Sequence, residues 1–218
     1  MKHIPIVLPP HKLEAVLADR ATQVRIPLVP QPAPPLNAFY PPSPFRKGFE
    51  FYVYTTSLEE SALRKYPEIH CPYGKRGDYL YVQEEWSTIG VRSRDYILKA
   101  TTPSGSITDR SRTQPWQPAT TMPKRVARLW LKVAHVTIER AHAIGKAGAL
   151  CEGFTPLAEY NIPGFAPAYV NYAGEGNSYC LGARVAFKQW FISVYGQAVY
   201  DTNPWLWAIS FNRIHSPL

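Results

Sequence analysis

Cysteine is scarce in this chain. Cys71, Cys151 and Cys180 are odd in number, widely spaced and without a C-x-x-C pair. That excludes a disulfide framework and a cysteine-based zinc site, and it fits a reducing compartment. His3, His11, His70, His135, His142 and His215 show no metal-ligand spacing, so no metal and no other cofactor is expected. Long hydrophobic runs are missing too. The N-terminal "IPIVL" is too short and too proline-bounded for a signal peptide, and no run reaches transmembrane length. A cytoplasmic protein with no membrane contact is expected. No P-loop, G-x-G-x-x-G, H-E-x-x-H or G-x-S-x-G is found. Acid is in deficit: 16 Asp and Glu face 24 Lys and Arg, a formal charge of +8. A basic surplus suits a polyanionic partner, whose phosphates it neutralises with release of counterions.

What is present in excess is proline and aromatic surface. There are 22 prolines, 14 tyrosines and 6 tryptophans in 218 residues. Eight prolines fall between Pro27 and Pro44, so that segment cannot be regular helix or central strand. Hydrophobic residues make up 45%, a globular composition long enough for a real core. A single domain over 1–218 is expected, with insertions at about 30–68 and 155–182. Exposed aromatics can stack on bases, although most aromatics are core.

Residues 3–8 read as a strand. "PPHKLEAVLADR" then places Leu13, Val16 and Leu17 on one helical face, with proline at the helix start. From Thr22 the period becomes two, with Val24, Ile26 and Leu28 opposite Gln23 and Arg25. "FEFYVYTTS" suggests a further strand, and "SLEESALRKY" a short helix capped by Ser57 and Glu60. "YGKRGD" is a glycine-bracketed turn leading through Asp78 into an alternating strand. Leu80, Val82, Glu84 and Trp86 share one of its faces. Glu84 therefore sits on the more apolar side and needs a partner. Two readings stand: an acid or anchor in a pocket, or a structural ion pair near a sheet edge.

"DYILKA" (95–100) suggests a strand within an Arg-rich region. In "TMPKRVARLWLKVAHVTIERA", Leu129, Leu131 and Val133 alternate, and Val136 and Ile138 continue with parity shifted by one. Such a slip predicts a bulge or a sharply coiled strand. "HAIGKAGALCEGF" reads as a short helix ending at Gly153, with Glu152 in its last turn, where an acid opposes the helix dipole. "ARVAFKQWFISVYG" spaces Phe187, Trp190, Phe191 and Val194 for a helix stopped by Gly196. "NPWLWAISFNRI" places Trp205, Trp207, Ile209 and Phe211 on one face of a last strand. Strands without βαβ alternation point to an α+β, barrel-like sheet with flanking helices.

"PIVLPPHKLEAVLADRATQVRIPLVPQP", "CPYGKRGDYLYVQEEW", "QPWQPATTMPKRVARLWLKVAHVTIERAHAIGKAGALCEGF" and "NPWLWAISFNRI", in that order, resemble the ASCH family of the PUA-like superfamily. The resemblance is to its larger bacteriophage and prophage members, covers about half the chain, and leaves out the insertions and residues 88–112. It implies a small PUA-like β-barrel and a cleft that binds RNA or nucleotides. Small bacterial members are amidohydrolases of N4-acetylcytidine, carrying G-R-K-T-x-T at the helix–strand junction and a Glu from the later helix. Chemically, a Thr hydroxyl needs a neighbouring base, and an acid assists the leaving amine.

The junction here reads "DRATQVR" (Asp19 to Arg25). Ala21 stands at the Lys position and Val24 at the catalytic Thr position, while Glu152 remains. Arg20, Thr22, Gln23 and Arg25 match the phage-type pattern. Lys12, Lys75 and Thr22 have chemistry that can take over the missing roles, but nothing in the sequence brings them there. The expectation is thus a non-catalytic, phage-associated module that binds RNA or a nucleotide in a basic cleft of a protein in a bacterial host cell, with DNA a second candidate. Its ligand-binding residues are expected to be Arg20, Thr22, Gln23, Arg25, Lys75, Glu84, Trp86 and Glu152. Lys124, Arg125 and Arg128 are expected to hold phosphate. Two alternatives stand beside it. One is an enzyme on RNA or modified nucleosides (a nuclease or an amidohydrolase with displaced groups), with Glu152 catalytic. The other is a factor that binds a protein partner through the inserted loops.

Overall fold

The computed structural model describes residues 1–32, 39–40, 52–54, 68–89, 96–101, 115–158, 167–171 and 179–217. In chain order the first elements are β1 (His3–Val7), α1 (Pro10–Leu17), β2 (Gln23–Pro27), β3 (Phe39–Tyr40), β4 (Tyr52–Tyr54) and β5 (Glu68–Ile69). β6 (Tyr79–Gln83), β7 (Trp86–Thr88), β8 (Tyr96–Leu98) and β9 (Trp130–Arg140) follow. α2 (Lys146–Cys151), β10 (Ala168–Val170), β11 (Tyr179–Leu181), α3 (Ala183–Tyr195), α4 (Gln197–Asp201) and β12 (Trp205–Ile214) complete the chain. The helix expected over 57–66 lies outside the described residues.

The principal sheet has five strands in the order β1-β6-β9-β12-β2. β1 runs parallel to β6, and the remaining pairs are antiparallel. Among the described residues β1 and β2 are its two edges and do not pair, so the sheet is open where the sequence led us to expect a closed barrel. The mixed α and β character is as expected. Smaller sheets, β3-β4-β5, β7-β8 and β10-β11, sit in the insertions and in the Arg-rich region.

The parity slip in β9 is a bulge. His135 pairs with Ser210 and Val133 with Phe211, so Ala134 is the extra residue. In an unbulged strand Val133 and Val136, three apart, would face opposite sides of the sheet. With Ala134 bulged out, both are buried in one core. The turn before β6 is fixed by Asp78, whose carboxylate accepts the N–H of Lys2 at 2.8 Å and of Lys75 at 3.2 Å. Gly74 there has φ +85°, and a Cβ would come within 2.7 Å of Ile4.

Two cores flank the sheet. The larger packs Leu13 and Val16 of α1 against Val24, Leu80, Val82, Leu131, Val133, Ile209 and Phe211. The second gathers Phe187, Trp190 and Phe191 of α3 with Phe154, Tyr169 and Leu206. β12 thus buries both faces at its start: Trp207 on one side, Leu206 on the other. Each such large side chain contributes about 1.5–3 kcal/mol on burial. One residue of the expected α3 stripe departs from it, since Val194 is 49% exposed and belongs to the solvent face. No helix among the described residues is long and apolar enough to cross a membrane.

Candidate binding cleft

α1 and β2 meet at a tight corner, and Gly153 allows it. A Cβ on Gly153, which has φ +91°, would lie 2.5 Å from that of Ala15 and 3.2 Å from that of Ala21. The close approach lets the end of α2 lie under α1, and Thr22 donates its N–H to the carbonyl of Cys151 at 2.9 Å. Glu152 is carried into the interior by the same contact and is fully buried.

Its carboxylate is clamped by two cations. Lys12, itself fully buried, donates to one carboxylate oxygen and to the Glu152 carbonyl. Arg25 donates to the other oxygen at 3.0 Å, and also to Glu139 and to the Gly148 carbonyl. Burial lowers the Lys12 pKa from the ordinary lysine value, a shift opposed by Glu152. Burial alone would lower the Arg25 pKa as well, but Glu152 and Glu139 outweigh it and raise it. The Lys12 ammonium also lies 5.7 Å from the Phe154 ring centre and 6.0 Å from that of Trp190. Beside it, burial and the Lys12 charge depress His11 to about 3, so this imidazole is neutral at physiological pH.

Lys12 and Arg25 line a cleft of about 970 Å³. Its walls come from the start of α1, from β2, from residues 83–85, from Tyr73, and from Trp190 and Tyr195 of α3. Burial pushes the Tyr195 phenol up to about 12. Glu84, also lining the cleft, is held by Arg128 through bonds of 3.0 and 2.6 Å. Both readings of Glu84 therefore meet in one residue. The cleft is not basic, however. Lys12, Arg25 and Lys99 are balanced by Glu14, Glu84 and Glu85, and Lys99 pairs with Glu85 at 2.7 Å.

Of the expected ligand-binding residues, Arg25 and Glu84 line the cleft, and Glu152 lies buried behind its wall, bonded to Arg25. The others lie elsewhere. Arg20 bonds Thr155 at 3.2 Å, and Gln23 bonds Ser210 at 2.8 Å. Trp86 donates to Thr121 at 3.1 Å, and Lys75 lies in the turn before β6. None of these, nor Thr22, lines the cleft. Ala21 and Val24 are both buried in the larger core, Val24 with one flank on the cleft. Of the expected phosphate cluster, Arg128 is taken up by Glu84, Lys124 lies 5.6 Å from the Trp130 ring centre, and Arg125 bonds the Tyr96 hydroxyl at 2.7 Å.

Sequence reasoning gave Lys12 only as a group of suitable chemistry and missed the part played by Tyr73, Glu139, Trp190 and Tyr195. One signal was readable. Lys12 stands four residues before Val16, on the buried side of the helix, where a lysine needs an anion. The chain matches no family model, no curated protein and no solved structure.

Proposed function

We propose that this chain is a non-catalytic module that binds RNA or a nucleotide, an opened, phage-associated variant of the ASCH/PUA-like fold. The observation that carries the reading is the Lys12–Glu152–Arg25 cluster at the wall of an aromatic-lined cleft. Its charges are fixed against one another, which suits recognition of a polar, uncharged group more than attack on one. With acids balancing its cations, the cleft suits a nucleobase, stacked on Tyr73 or Tyr195 and hydrogen-bonded at its edge. Phosphate falls to the rim, where Arg128 ties the segment carrying Lys124 and Arg125 to Glu84.

Fluorescence anisotropy of labelled single-stranded RNA and DNA, over a salt series, tests this. Binding should weaken as salt rises, and Lys124→Ala/Arg125→Ala should reduce the log–log salt slope by about 1–2. Absence of salt-sensitive binding to any strand or nucleotide sinks the proposal.

A second reading, an amidohydrolase with displaced groups, has one observation in its favour. Lys12 reaches Glu152 from α1, and its burial favours the neutral amine that a general base requires. Incubation with N4-acetylcytidine decides it: turnover that Glu152→Gln abolishes establishes the enzyme, and no turnover removes it.

A further inference from the structure

A second cavity, of about 520 Å³, opens at the start of α3, and its chemistry differs from that of the first. His142, Lys146, Arg184 and Lys188 converge on it around Tyr200, and no acid is among the described residues that line it. Lys146, Arg184 and Lys188 make no ion pair with a described residue, unlike the cations of the first cleft. α3 begins at Gly182 with no side-chain cap and no acid in its first turn, so its positive end faces the same space with no acid among the described lining residues beside it. Asp201, whose charge acts on Tyr200, accepts a bond from Gln197 at 2.6 Å and lies outside the lining.

An anion with a flat ring answers all of these features. We propose that the cavity binds a nucleoside phosphate, either free or as one unit of a single strand. Arg184, Lys188 and Lys146 hold the phosphate, and the base lies against Tyr200 and the exposed Leu181 and Val185 (60% and 40% exposed). Lys188 now sits 5.5 Å from the Tyr200 ring centre, and His142 packs on that ring at 4.4 Å. A base arriving at the ring displaces the Lys188 ammonium, which turns to the phosphate. The volume falls in the range of about 300–1,000 Å³ usual for small-molecule sites. This site stands independently of the first cleft: Lys188 and Trp190 of α3 serve different cavities.

Titration of the full chain with adenosine monophosphate, followed by backbone amide NMR, tests it. The amides of Gly182 to Val185 should shift, and Arg184→Ala/Lys188→Ala, at two exposed positions, should weaken binding about tenfold or more with an unchanged circular dichroism spectrum. Inorganic phosphate should bind about tenfold more weakly than the nucleotide, since it lacks the ring. A single-stranded RNA octamer separates the sources: much tighter binding assigns a strand, equal binding a free nucleotide. Shifts confined to residues of the first cleft overturn the proposal. So does equal affinity for phosphate and nucleotide, an unaffected double variant, or binding only to vesicles containing anionic lipid.

Discussion

The Lys12 ammonium donates to both the carboxylate and the carbonyl of Glu152, 140 positions away in sequence, and both side chains are fully shielded from water. Arg25 binds the other oxygen of the same carboxylate. Glu152 is thus the single anion between two buried cations, and Glu139 answers Arg25 alone. Removing Glu152 strands a buried ammonium, whereas removing Lys12 leaves an Arg25–Glu152 pair. Glu152→Gln should therefore cost about 3–5 kcal/mol of folding stability, and Lys12→Met clearly less. Urea denaturation of the two variants measures this. Equal losses would mean that Lys12 is not paired as described.

His11 ties stability to pH. Its pKa is about 3 in the fold against an ordinary value of 6.5, because burial and Lys12 disfavour the cation. The unfolded chain binds the extra proton below pH 6.5 and the folded chain does not until about pH 3. Stability is therefore full above the upper value and falls as pH drops between the two. The slope contributed by one such group is at most about 1.4 kcal/mol per pH unit. His11→Phe should flatten this acid limb, by roughly 2 kcal/mol between pH 6.5 and 4.5. Denaturation at those two pH values checks it, and identical pH dependence of variant and parent would contradict the burial of His11.

Under the proposed ASCH reading, Ala21 and Val24 stand where the amidohydrolases carry a lysine and a threonine; in this chain both belong to the core. Restoring the reactive residues should cost stability. Val24→Thr buries a hydroxyl in a methyl's place, worth about 1–3 kcal/mol. Ala21→Lys should be worse, since Ala21 lies against Gly153 and the new chain has no room. Thermal melts of both variants, with an N4-acetylcytidine assay alongside, give the answer. A stable Ala21→Lys/Val24→Thr protein with new activity would show that the corner kept its catalytic frame.

Period and punctuation made much of this fold legible. The shifted parity between Val133 and Val136 marked the bulge at Ala134, and the stripe of Trp207, Ile209 and Phe211 marked the core face of β12. Gly153 and Gly196 marked the ends of α2 and α3, with φ of +91° and +93°. Closure was not legible, because it depends on whether two edge strands meet, and β1 and β2 stay apart at opposite edges. Neither was the full site. Glu84 was readable as an acid on the apolar face of its strand, whereas alternation set Arg25 opposite the apolar stripe and Glu152 stood out only for opposing the helix dipole, yet all three are buried. The partner of each lies far along the chain: Lys12 for Glu152, Glu139 for Arg25, Arg128 for Glu84. Alternation shows which side chain turns inward, not which charge from a distant element meets it there.

On the proposed function, a base enters the cleft beside Lys12 and Arg25. Photocrosslinking single-stranded RNA that carries 4-thiouridine, with the attachment sites mapped by mass spectrometry, tests it most directly. Crosslinks should fall on Tyr73 and Tyr195, the tyrosines of the cleft wall, and high salt should diminish them as phosphate contacts are screened. Crosslinks that spare both residues, with RNA bound elsewhere on the chain or not at all, would contradict the account.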